Sequence, residues 1–158
     1  MHVSDAPPAE AVPQVPRRTV LWTMRGVRRL HQGVGVMMLG AFLLTGQYMD
    51  LRYDHLRGLD DTTRMLFRSS HIYILLSGLV NLALGLYLQP LPQRAQRLLQ
   101  GVGSALVLLA AFGFLAGFFV EPFLTGLLRP WTRPAVYAIA IGGVLHLLAG
   151  IMGDTRPR

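Results

Sequence analysis

Four apolar stretches, at 30–49, 66–88, 98–120 and 134–152, take up most of this 158-residue chain. Each is close to the ~20 residues that a helix, rising ~1.5 Å per residue, needs to cross ~30 Å of hydrocarbon. The expected fold is therefore all-α: an integral membrane four-helix bundle with up-down topology. Only 15% of residues are charged, against roughly 25% in a soluble domain. Short polar connections make sequential helices antiparallel neighbours.

The segments outside these stretches differ in character. Residues 1–16 are rich in Pro and Ala and read as a disordered tail. No short apolar region with a small-residue cleavage site follows the start, so no secretory signal is expected. Residues 17–29 (RRTVLWTMRGVRR) hold five arginines around Val20, Leu21, Trp22 and Met24. They suit either an interfacial segment, with Trp22 at headgroup level, or a plain flank to the first span. The bundle proper is expected over 30–153, with a short polar tail at 154–158. The first connection, at 50–65, carries four Asp and three Arg; a short surface helix would suit it. Prolines at 90 and 92 stop a helix in the second connection.

Net charge is +7, and all 15 basic residues are arginine. Nine of them fall in the termini and the 89–97 turn, and six in the other two connections. The positive-inside rule then puts both termini in the cytoplasm, for a protein of the cell inner membrane. No basic stripe on a soluble fold supports nucleic-acid binding. The absence of cysteine excludes disulfides, thiolate metal sites, cysteine-ligated iron–sulfur clusters and thioether-linked haem. Nucleotide-binding fingerprints, HExxH and nucleophile elbows are absent as well.

Three of the four apolar helices carry a histidine: His31, His71 and His146. An ionisable group in a spanning helix is costly and usually faces the bundle or a cavity. His31 and His146 belong near the same end. If the bundle closes as a ring, their helices are neighbours, and the two imidazoles are candidate ligands for haem iron or another metal ion, or partners for a quinone head. Ala138, Gly142, His146 and Gly150 sit four apart on the last helix. Such a stripe serves close helix packing, or a wall for a flat cofactor, in which case Gly142 would touch it. The bland alternatives are a headgroup position for His31 and a carbonyl-bonded imidazole for His146.

At the opposite end His71 and Glu121 are expected at similar depth and within hydrogen-bond reach, forming an outer polar cluster to which Asn81 adds a deeper polar step. Its alternatives are a network satisfying helix ends and, for Asn81, an interhelical hydrogen bond. No charged residue falls at midplane and no span is broken by proline, which weakens a transporter reading. Met37 and Met38 are soft donors for copper in principle, but suit ordinary packing better.

A four-helix membrane bundle with paired histidines resembles the b-type cytochromes. The likeness covers the four spans and rests on His31, His71 and His146. It implies haem b held between inward-facing histidines at matched depth. Two leading functions follow: a small membrane redox subunit binding haem b or a quinone, and a non-catalytic accessory or assembly subunit of a larger complex. A small transporter or metal-handling protein is the third, and an enzyme acting on a lipid or isoprenoid the fourth. The partners expected are membrane lipids and other membrane subunits.

Overall fold

A computed structural model describes residues 17–89 and 91–154, with side chains from Arg25 to Met152. The tails at 1–16 and 155–158, and the side chain of Trp22, lie outside the described residues. Four long helices follow one another: α1 (Arg17–Tyr53), α2 (Asp61–Tyr87), α3 (Arg94–Val120) and α4 (Thr132–Asp154), with a 3-10 turn at Glu121–Phe123. All four are long and apolar enough to cross a membrane.

The burial pattern is that of a protein solvated by lipid. Leu44 is 71% exposed, Leu109 66% and Leu147 63%, while His31, Asn81, Gln96 and Glu121 have no exposed surface. In water this would waste apolar area. In hydrocarbon the outward leucines lose nothing, and the interior is where polar groups find partners.

The helices form two tight hairpins, α1 on α2 and α3 on α4, joined mainly through α2 and α3. Glycines set both seams. A Cβ on Gly35 would lie 2.9 Å from the backbone N of Leu82, and one on Gly85 2.9 Å from that of Gln32. Across α3 and α4, a Cβ on Gly103 would stand 2.9 Å from Gly142 O, and one on Gly142 2.8 Å from Gly103 O. These approaches leave no room for any side chain.

Two expectations about this architecture change. The bundle does not close as a ring: α1 makes its second contact with α3 and no extensive contact with α4. And the basic stretch at 17–29 is not a separate interfacial element but the continuous start of α1. Arg28 there has a defined task. Its Nε and Nη2 donate to Gly85 O and Leu86 O at 3.2 and 3.0 Å, and Gln32 Nε2 also donates to Gly85 O. The last carbonyls of α2, which have no partner within their own helix, are thereby satisfied by a cation at the helix's negative end.

The 50–65 connection holds no surface helix. α1 runs to Tyr53 and is reversed by three consecutive left-handed residues, Asp54, His55 and Leu56, with φ of 43°, 57° and 65°. Such backbone costs L-residues roughly 1–2 kcal/mol each. Burial of Leu56 in the core and a 2.6 Å contact of His55 Nδ1 with Asp50 Oδ1 offset it. Asp60 then caps α2 by accepting from Thr63 N at 3.0 Å. The two ends of the bundle are filled differently. Tyr48, Tyr53, Phe67, Phe118 and Phe123 meet near the α1–α2 connection, edge-on except for the tilted pair Tyr53–Phe67. Small and polar residues fill the other end.

Candidate functional site

His31 lies on the inward face of α1, three and seven residues before Val34 and Met38, both buried. That spacing puts all three toward α2 and α3. Its Nδ1 lies 2.7 Å from Asn81 Oδ1. The amide of Asn81 is oriented by its other half, since Nδ2 donates to Ser77 O at 2.9 Å. The oxygen therefore faces His31, and an amide oxygen only accepts. The imidazole must donate from Nδ1, which leaves Nε2 as the unprotonated nitrogen of the neutral ring. Nε2 is fully buried and has no hydrogen-bond partner.

His146 approaches from α4. Its ring packs on Gly103, where a Cβ would stand 3.1 Å from Cδ2, and Ser104 Oγ lies 3.3 Å from its Nε2. His31 and His146 stand on helices that make no extensive contact with each other. Among the described residues no group of three or more His, Asp and Glu side chains converges as a metal cage.

Gly142 does not act as the expected cofactor wall. Its open side is filled by Gly103 O and by Val107 Cγ2, each 2.8 Å from a built Cβ. Gly150, the next member of the stripe, meets nothing within 4 Å. The stripe is a helix seam at Gly142 and outer surface at Gly150. Of the two methionines, Met38 is buried in the core and Met37 faces outward.

The outer polar cluster is not formed. Asn81 sits at the other end, on His31. Glu121 is buried beneath the start of α4, where Oε1 accepts from Trp131 N and Thr132 N at 3.0 and 2.7 Å and Oε2 from Thr132 Oγ1 at 2.7 Å. It is a cap supplied from outside the helix, placing a carboxylate on orphan N–H donors. His71 instead turns to α1. Its Nδ1 lies 2.9 Å from Thr45 Oγ1, and its ring stacks on Phe42 with centroids 4.1 Å apart.

The Thr45 contact fixes a tautomer too. Thr45 Oγ1 lies 2.8 Å from Ala41 O, which can only accept, so the one hydroxyl proton goes there. Phe42 O, at 3.1 Å, is a second carbonyl acceptor for it; with the proton directed to either carbonyl, Thr45 accepts from His71, and His71 Nδ1 carries the proton. Its Nε2 edge rests over Gly46, 3.7 Å from a built Cβ. No protein group bonds that nitrogen among the described residues. Here α2 supplies the imidazole and α1 the acceptor; at the other end α1 supplies the imidazole and α2 the acceptor.

Sequence reasoning missed the polar lining beside His31. Gln96, Gln100 and Ser104 are buried and spaced four apart on α3, a polar stripe in an otherwise apolar helix. Gln100 Nε2 donates to Gln89 O at 2.8 Å, while Gln100 Oε1, Gln96 Nε2 and Ser77 Oγ are buried without partners.

No protein-family model matches this chain, and neither a curated protein nor a solved structure is significantly similar to it.

Proposed function

We propose that this protein is a small membrane redox subunit in which His31 and His146 would hold haem b. One observation carries the reading: His31 presents a buried neutral imidazole whose Nδ1–H is locked by Asn81 and whose Nε2 lone pair has no partner. An imidazole ligand of a metal is typically held this way, its second nitrogen donating to an outer oxygen. Left empty, a buried acceptor costs ~1–3 kcal/mol. Haem b held by two imidazoles would supply one-electron exchange at its iron.

The donor set fits haem iron, and the helix arrangement is compatible with it. His31 and His146 come from the two helices that make no extensive contact with each other. His31 has no exposed surface, so entry of a porphyrin requires the helices packed around that ring to part. A quinone matches this end less well. Its oxygens accept hydrogen bonds, and His31 Nε2 in this tautomer also only accepts.

The test is the optical spectrum of protein purified after expression with ample haem. A low-spin reduced spectrum is expected. It should be lost or become high-spin in His146→Ala and survive in His71→Ala. Protein that folds with no haem under those conditions overturns the reading. The second reading, an accessory subunit whose histidines serve packing, is favoured by the closed Gly103–Gly142 seam and would then replace it.

Both termini are assigned to the cytoplasm of a cell whose inner membrane holds the bundle, on the arginine bias. A cysteine placed at Thr62 should then react with an impermeant label in intact cells, and one at Ser4 only after lysis. Outside labelling of Ser4 reverses the assignment.

A further inference from the structure

The groove beside His71 has the chemistry of a separate binding site. It measures about 230 Å³ and is lined by Phe42, Leu43, Gly46, Gln47, Asp50 and His71. That is below the ~300–1,000 Å³ of pockets that take drug-sized ligands, so it suits one ring. Leu43 on its rim is among the outward-facing leucines, which makes the groove reachable from lipid. Its floor is Gly46, the residue over which His71 Nε2 lies.

Its polar side chains are His71 and Asp50, which offer acceptors, and Gln47, whose amide both accepts and donates. His71 Nε2 is a lone pair, because Thr45 holds the proton on Nδ1. Asp50 spends Oδ1 on His55 and has Oδ2 left over. The apolar part is an aromatic face, Phe42, already stacked on the imidazole. A ligand matched to this set has a flat ring, hydroxyl protons to donate, and an apolar body that partitions into the bilayer.

We infer that the groove binds the headgroup of a lipid-dissolved dihydroxy-aromatic compound, a quinol, which donates one hydroxyl to His71 Nε2 while its ring lies against Phe42, with Asp50 as the nearest acceptor for a second donor. The oxidised quinone lacks those protons and meets a side-chain donor only in the Gln47 amide, so the groove favours the reduced form. The inference does not depend on what His31 and His146 hold.

Duroquinol and duroquinone make the test, titrated into the full-length protein in bilayers with His71 ¹⁵N-labelled. Saturable binding of duroquinol that shifts the His71 Nε2 resonance is expected, with duroquinone at least ten-fold weaker. Two variants attack the site independently. His71→Phe keeps the stack on Phe42 but removes the lone pair, and Gly46→Leu fills the floor. Each should weaken duroquinol at least ten-fold, read for His71→Phe by equilibrium partitioning of the ligand, with helix content unchanged. No saturable binding, equal affinity for the two redox forms, or full binding by His71→Phe overturns the inference. If Gly46→Leu fails to fold, His71→Phe and the redox comparison decide it.

Discussion

The His31 end and the His71 end of this bundle use one device in two settings. In both, a side-chain oxygen on the partner helix takes the Nδ1 proton, Asn81 for His31 and Thr45 for His71, and Nε2 is left as a lone pair. At the first end the imidazole is sealed, with no exposed surface. At the second it is half-buried and borders an open groove. The difference teaches that tautomer and access are set by separate residues. The oxygen donor on the facing helix chooses which nitrogen is free. The bulk around the ring decides whether anything reaches it. A sealed lone pair can serve only a ligand that parts the helices, whereas an open one meets ligands from the bilayer directly.

The largest expected effect tests the seal. Gly142→Leu drives a side chain into Gly103 O and Val107, and overpacking of this kind costs typically ~1–3 kcal/mol and occasionally more. The yield of folded protein should fall steeply in detergent thermal-unfolding assays. If folding is intact and only haem content falls, Gly142 lies on a cofactor wall and the seam reading is wrong.

Next comes the sealed lock. Asn81→Leu strands a buried Nδ1–H, and a loss of ~1–3 kcal/mol is expected, measured by reversible unfolding in mixed micelles. Thr45→Val removes the corresponding acceptor for His71. Its effect should be smaller, within about 1 kcal/mol, because a half-buried ring can turn to another partner or to water. Equal losses in the two variants would erase the contrast between the ends.

The smallest effect lies in the connection beside the open end. The Thr63 hydroxyl and amide hold the Asp60 carboxyl below its ordinary value of 3.8. A depressed folded-state value means that the cap stabilises fully above the unfolded value and is lost as pH falls through the folded one. Exchange of the Thr63 amide should therefore quicken only in acid, relative to its neighbours. Asp60→Asn, which keeps an accepting oxygen, should remove that pH dependence.

Much of the fold was legible because lipid imposes a length on helices. The four apolar stretches already mark α1 to α4. What escaped was pairing. Depth alone put His71 beside Glu121, but depth does not say around which side of a helix a ring turns. His71 is drawn to α1 by Thr45 and Phe42, and Glu121 to the uncapped start of α4. The closed ring on which the pairing of His31 with His146 was argued fails because the glycine seams pull the helices into two hairpins. Asn81 is read correctly as an interhelical hydrogen bond and wrongly as part of an outer cluster. The left-handed run at Asp54–Leu56 had no signal at all, since only Gly58 in that stretch announces a positive φ.

The central claim is that both histidines are neutral rings protonated on Nδ1, with Nε2 unprotonated. ¹⁵N spectra of histidine-labelled protein in bilayers at neutral pH, before any ligand is added, test it directly, because protonated and unprotonated ring nitrogens resonate in well-separated regions. An unprotonated Nε2 and a protonated Nδ1 are expected for His31 and for His71, with Asn81→Leu changing the first pattern alone and Thr45→Val the second alone. A proton found on Nε2 of either ring, or both rings unmoved by the loss of their partners, would contradict it.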